Sequence, residues 1–178
     1  ARITVIFIMF IASACAKVKS FGPYHLKVLN VTDCGEDGPN IMHFDFKLED
    51  YNDSSSILDG TVKLPKGFGN DAQVSVDVDQ WRNNVWVKNV YKFYFNQMCN
   101  NLKEFVTETF TQLTNHLNIE DKCPVASGTY IIKEFLLTLV PNLKEVKYGT
   151  FKCKAHARQG TTPTGCMEAI IETTPKKN

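Results

Sequence analysis

The sequence lacks an excess of charge of either sign. Its 178 residues include 20 lysines and arginines against 19 aspartates and glutamates, for a net charge of +1. A protein that binds nucleic acid or an anionic membrane through its overall charge normally carries a clear positive excess. The composition therefore argues against both classes of partner.

The chain also lacks the short motifs of common catalytic and metal sites. It has no Gly-x-Ser-x-Gly nucleophile motif and no Cys-x-x-Cys spacing, so neither a serine hydrolase nor a zinc site is indicated. Asp77 and Asp79 share one face of a predicted strand, where two solvated side chains are more common than a catalytic pair. The four histidines are scattered, at His25, His43, His116 and His156. We therefore expect that the protein is not an enzyme and that it binds neither a metal ion nor a cofactor.

Only one long apolar run is present, from Ile3 to Ala14. Arg2 precedes it and small residues follow, which is the pattern of a secretion signal cleaved after Ala16. The run is shorter than the roughly 20 residues that cross a bilayer, and a buried N-terminal helix is the alternative. We expect a signal peptide over residues 1–16 and a single domain over residues 17–178.

Five cysteines follow the predicted cleavage site, and in a secreted chain they indicate disulfides with one thiol left over. Asn30 and Asn52 each begin an Asn-x-Thr or Asn-x-Ser triplet, so both are candidate glycosylation sites. The expected location is extracellular, with the lysosomal lumen as the alternative.

Alternating apolar and polar residues predict strands over most of the chain. Asn83-Asn84 is expected to form a tight hairpin turn, because asparagine tolerates positive φ. The predicted strands are 42–48, 58–64, 74–81, 85–90, 130–139, 147–157 and 166–172, with a turn-rich break at 160–165. This pattern predicts a mainly β, two-sheet antiparallel β-sandwich of immunoglobulin-like type.

Residues 95–117 follow a different period, in which apolar side chains fall within an arc of roughly 140° on a helical projection. One amphipathic helix is predicted there, bracketed by Cys99 and Cys123. If this helix covers an open end of the sandwich, Met98, Leu102, Phe105 and Phe110 would face a ligand.

Four cysteines can form two disulfides in three different ways. Their positions along the chain favour one of these pairings. A Cys99–Cys123 bridge would tie the helix to the next strand, and a Cys34–Cys166 bridge would tie the edges of the sandwich. Cys153, beside Phe151 on an apolar face, would then be a buried free thiol.

The stretch Cys123-Pro-x-x-x-Gly-x-Tyr130, with Pro141, Lys147-Tyr148 and a last cysteine before the final strand, carries a family resemblance. The chain resembles insect secreted proteins related to the ganglioside GM2 activator, including the chemosensory CheB group. More distantly it is similar to the MD-2-related lipid-recognition domains. Cys153 and the activator's larger set of cysteines are departures from this pattern.

The resemblance implies a β-cup that holds a small hydrophobic ligand (a lipid, a fatty acid or a hydrocarbon) between its sheets. It also implies a non-enzymatic carrier or presenter that delivers this ligand to a receptor or enzyme, with chemosensation as the role that the insect members suggest. A monomer is expected. The alternative is an extracellular interaction protein with a solid core, such as an innate-immune or receptor co-factor, because aromatic side chains also fill ordinary cores. The candidate ligand-binding residues are Phe44, Phe46, Trp86, Met98, Leu102, Phe105, Phe110, Tyr130 and Phe151.

Overall fold

A computed structural model describes residues 21–176 of the chain. The predicted signal peptide, with its cleavage site after Ala16, lies outside the described residues. The secondary structure elements are β1 (Phe21–Gly22), β2 (Tyr24–Asp33), β3 (His43–Asn52), β4 (Ser55–Leu64), β5 (Gln73–Arg82), β6 (Val85–Phe95), α1 (Met98–Phe105), α2 (Thr107–His116), β7 (Gly128–Leu137), β8 (Val146–Lys147), β9 (Gly149–Gln159) and β10 (Thr162–Pro175).

The strands form two main antiparallel sheets. The large sheet has the order β2-β10-β9-β5-β6 and the small sheet the order β3-β4-β7, while β1 and β8 form a short separate pair. The large sheet packs on the small one mainly through β2, which lies against β3 and β4. The prediction of a mainly β, antiparallel sandwich is confirmed.

The register of the large sheet separates an apolar inner face from a charged outer face. The apolar face of β5 carries three valines, Val74, Val76 and Val78. On one side these valines pair, in that order, with Ala157, Ala155 and Cys153 of β9. On the other side they pair with Phe95, Phe93 and Tyr91 of β6. Asp77 lies opposite Lys92 and Lys154 on the other face. The valine side is the inner face, because Val74 packs in a core cluster with Met42 and Phe44 from the small-sheet side.

The small sheet contributes its aromatic face to the core. Phe44 and Phe46 of β3 are in contact, with ring centroids 5.9 Å apart and ring planes tilted by 37°. Phe46 also lies across Gly60 of β4, where an added Cβ would come within 2.8 Å of its ring and 2.1 Å of the Asp45 carbonyl oxygen. A glycine is therefore required for β3 and β4 to approach this closely.

Residues 95–117 form two helices rather than the single one predicted. Val106, with φ −130° and ψ 49°, separates α1 from α2. The carbonyl of Phe105 accepts a hydrogen bond from the amide of Asn142 at 2.7 Å, and Thr109 Oγ1 donates to the Thr138 carbonyl at 2.9 Å. The break lets both helices bond to the segment that follows β7.

The strand boundaries differ from the predictions at both ends of the chain. A long strand, β2, precedes Cys34, and its alternation was missed. At the other end β10 begins at Thr162, four residues before Cys166, because residues 160 and 161 suffice for the turn and Gly160 supplies a φ of +60°. The predicted Asn83-Asn84 turn is confirmed, with φ values of 49° and 63°.

Two disulfides are present, Cys34–Cys166 and Cys99–Cys123, and these are the pairs favoured from the sequence. The first extends the existing pairing of β2 with β10, since Asp33 lies opposite Met167. The second joins the first turn of α1 to the segment before β7. Within residues 21–176, Cys153 is the free cysteine.

Asp33 connects the two sheets beside the first disulfide. Its carboxylate accepts hydrogen bonds from the amides of Gly35 at 2.7 Å and Phe44 at 3.0 Å, and it lies 2.8 Å from His43 Nδ1. Burial acts to raise the pKa of Asp33, but these three hydrogen bonds outweigh burial and hold the pKa below its usual value. The end of β2 is thereby fixed to the start of β3.

Candidate functional site

The strongest candidate for a ligand site is an apolar surface on the inner face of the large sheet. Tyr91 and Phe93 of β6 stack with ring centroids 6.4 Å apart, and each is 42% exposed. Both lie on the inner face, because they are opposite Val78 and Val76 of β5. Two large aromatic side chains on the inner face of the large sheet are therefore open to solvent.

Helix α1 presents a third exposed apolar side chain to the same region. At 100° per residue, Leu102 lies on the face of α1 that also carries Met98 and Phe105. Met98 is buried in the core, and Phe105 packs on Phe95 of β6 with centroids 5.9 Å apart. Leu102 is nevertheless 38% exposed. We use the name inner cleft for this apolar surface of the large sheet and α1, to which Val76, Tyr91, Phe93, Leu102, Ala155 and Met167 contribute.

The other predicted ligand-binding residues lie mostly in the packed core. Phe44, Met98 and Tyr130 belong to one cluster, and Phe46 packs against a second that includes Ile132 and Phe135. Phe110 and Phe151 are buried. Of the four helix residues expected to face a ligand, Leu102 is the exposed one.

Trp86 lies on the outer face of the large sheet, so its predicted place in a cavity between the sheets is wrong. It packs against Trp81, with ring centroids 5.1 Å apart, and the Lys152 ammonium lies 4.6 Å from its ring centroid. Lys152 is opposite Asp79, a residue of the outer face. The tryptophan pair thus covers the charged side of the sheet.

Tyr91 and Phe93 are the residues that sequence reasoning missed. The predicted strand ended at Val90, and Phe95 was assigned to the helix. The sequence did carry a signal for their place. The strand alternation continues past Val90, since Tyr91, Phe93 and Phe95 alternate with Lys92 and Tyr94.

The charged residues considered for catalysis are occupied by other contacts. Asp77 pairs with Lys92 at 3.0 Å, and Asp79 accepts hydrogen bonds from Lys88 and from the Asn89 amide, both at 2.9 Å. Burial acts to raise the pKa of Asp79, but the Asn89 and Lys88 bonds outweigh it and keep the pKa low. Residues 21–176 contain no group of three or more His, Cys, Asp or Glu side chains placed to hold a metal ion.

Cys153 lies on the inner face between Val78 of β5 and Ala169 of β10. Burial, and to a smaller extent the negative charge of Asp79, raises the pKa of its thiol to about 11. Its surroundings therefore favour an unreactive, neutral thiol.

We expect the native protein to react with iodoacetamide at pH 8 about 100-fold more slowly at Cys153 than the unfolded chain does. Only the thiolate reacts, and a pKa raised by two units lowers the thiolate fraction by that factor. Intact-mass spectrometry over time, on folded protein and on protein in urea with both disulfides intact, measures the two rates. Equal rates would contradict the burial of this thiol.

Comparisons with known proteins do not assign the chain to a family. No protein-family model matches it, and no curated protein does. Among solved structures the chain is similar to chicken MD-1 complexed with lipid IVa, at 14% sequence identity and a TM-score of 0.41; the match covers 86% of this chain and 99% of that one. A likeness this weak carries no function with it, and the resemblance to the insect relatives of the GM2 activator stays a prediction.

Within the part of the chain that the structure describes, no helix is long and apolar enough to span a membrane. Asn30 and Asn52, the candidate glycosylation sites, are both exposed. Their side chains are accessible to modification, and their glycosylation stays a prediction.

Proposed function

We propose that this protein is a non-enzymatic binder of a small hydrophobic ligand, which it holds in the inner cleft and passes to a receptor or enzyme. The observation that supports this most directly is the exposure of Tyr91 and Phe93 on the inner face of the large sheet. Large aromatic side chains on an inner face are normally covered, and exposed apolar surface of this kind is typical of binding sites.

The chemistry of the inner cleft fits a lipid tail or a hydrocarbon. The six residues that contribute to it are apolar but for the Tyr91 hydroxyl, and the aspartate and lysine side chains of β5 and β6 point to the opposite face. Such a surface gains about 0.8 kcal/mol for each methylene group removed from water. It offers little to a strongly polar ligand, which would lose hydrogen bonds to water on entering.

The proposed setting is extracellular or lumenal. Two disulfides in the folded domain suit an oxidising compartment. A role in chemosensation is the finer proposal, and it is carried by the family resemblance of the Cys123–Tyr130 stretch.

A second candidate function is that of an extracellular interaction protein with a solid core. The packing of Phe44, Met98, Tyr130 and Phe151 among buried residues favours it. In that case the exposed aromatic residues would contact another protein instead of a lipid.

Extraction of bound lipid from the secreted protein, followed by titration with the neutral fluorescent probe N-phenyl-1-naphthylamine, tests the proposal. We expect a co-purified apolar compound, and stoichiometric probe binding once that compound has been removed. A protein that carries no lipid and does not enhance the fluorescence of the probe would favour the solid-core alternative.

A further inference from the structure

A second groove opens at the end of the sandwich where β2 begins and β7 ends. It has a volume of about 280 Å³ and lies between residues 23–26 and the segment 138–144. Tyr24 fastens the two walls together, because its hydroxyl donates to the carbonyl of Leu143 at 3.2 Å and reaches that of Pro141 at 3.4 Å. We call this the end groove.

The walls of the end groove are largely apolar. Leu26, Leu139, Val140, Pro141 and Leu143 contribute to them. Val140 and Leu143 are also among the exposed large apolar side chains of the protein. Exposed aliphatic side chains lining a concave surface are the usual contacts of an acyl chain.

The formal charges that line the end groove are of one sign. Lys144 and Lys176 line it together with the imidazole of His25, and no aspartate or glutamate does. Among the ion pairs within residues 21–176, none involves these three side chains. The two lysine ammonium groups are thus available to an anionic ligand.

A groove of similar volume on the outer face of the large sheet lacks this property. It measures about 270 Å³, and acidic and basic side chains line it together. Lys88 pairs with Asp79 there, and Lys152 lies 4.0 Å from Glu168. Charges that neutralise one another leave no preference for an anion, so the end groove is the better candidate.

The end groove is of a size for part of one acyl chain. Its volume of about 280 Å³ belongs to a groove that is open to solvent on one side, so a chain that lies in it can extend beyond its walls.

We propose that the end groove binds a medium-chain fatty acid, with its carboxylate held by Lys144 and Lys176 and its chain lying against Leu139, Val140 and Leu143. The site is separate from the inner cleft in its lining residues and in the charge it selects. Charge-assisted hydrogen bonds from ammonium groups to a carboxylate are among the stronger polar contacts available to a protein. The apolar walls account for the chain, and the two lysines for the acid.

Isothermal titration of the full protein with decanoate, decanol and acetate tests this proposal. We expect the Lys144→Gln/Lys176→Gln double variant to bind decanoate about tenfold or more weakly than the wild type, because each lost charge-assisted bond weakens binding. Lys66→Gln, which removes an exposed lysine in the turn after β4, is the matched control and should bind as the wild type does.

Each further outcome decides for or against the end groove. If decanol binds as tightly as decanoate, the carboxylate contributes nothing and the proposal is overturned. If acetate binds as tightly as decanoate, the acyl chain contributes nothing and the proposal is likewise overturned. Phe93→Asp, which alters the inner cleft, should leave decanoate binding unchanged. If Phe93→Asp abolishes decanoate binding, the fatty acid binds in the inner cleft and the end groove is not its site. If only the Lys144→Gln/Lys176→Gln variant abolishes decanoate binding, the end groove is the site, whatever the outcome for the proposed function.

Discussion

Replacing Cys34 and Cys166 together by alanine is expected to lower the free energy of unfolding by about 5 kcal/mol. The bridge spans 132 residues in sequence, nearly the whole described domain. Closing so long a loop removes much of the conformational entropy of the unfolded chain, and domains of this size are typically stable by only about 5–15 kcal/mol. Urea denaturation followed by circular dichroism measures the loss.

The folded state would change little in this variant, because β2 and β10 are already paired next to the bridge. The effect is expected to act through the unfolded chain, and the matched control separates it from the cost of losing a sulfur atom. Cys153→Ala removes a half-buried thiol two strands away from β2 without cutting a crosslink, and should cost about 1 kcal/mol or less. A double variant that loses no more stability than this control would contradict the entropic account.

Most strands of this protein could be predicted from the sequence, because strict alternation of apolar and polar residues is typical of a strand with one buried face. A half-buried strand needs one apolar face, and the 42–48 and 74–81 segments have only that arrangement available. The strand β2 was missed because its alternation is imperfect: the register shifts by one residue between Ile170 and Ile171 of its partner β10. Such a bulge is decided by the pairing of two distant segments.

The division between α1 and α2 could not be predicted for a similar reason. The apolar arc runs through Val106 without interruption, and the local pattern favours one helix. What ends α1 is a hydrogen bond from the amide of Asn142 to the carbonyl of Phe105, 37 residues apart in sequence. A contact between segments that distant is a property of the folded chain.

The candidate site was only partly predictable. Leu102 followed from the helical arc, and the apolar faces of β3 and β7 were expected. The position of Trp86 on the outer face could have been predicted from the alternation along β6. Trp86 lies an even number of residues from Lys92 and Tyr94, so it shares their face and not that of Phe93. Which of the apolar residues are covered and which are exposed depends on the separation of the two sheets, and a one-dimensional pattern carries no such information.

Phe93→Asp is expected to weaken the binding of an apolar probe on the order of 100-fold. The side chain lies on the inner face of β6 and is 42% exposed, so a carboxylate can be accommodated there without unfolding the domain. A ligand that covers it must remove its water, which costs several kcal/mol when no partner replaces that water. Fluorescence titration with N-phenyl-1-naphthylamine measures the change, with thermal unfolding as the check on the fold.

The neighbouring residue gives the control that isolates the inner cleft. Tyr94 is 69% exposed, belongs to the same edge strand and points to the opposite face, beside Lys92. Tyr94→Asp introduces the same charge one residue away and should leave probe affinity within about twofold, since it touches no residue of the inner cleft. If the two variants weaken binding equally, the probe binds the edge of β6 and not the space between the sheets. Loss confined to Phe93→Asp is the result that an apolar ligand held between the sheets requires.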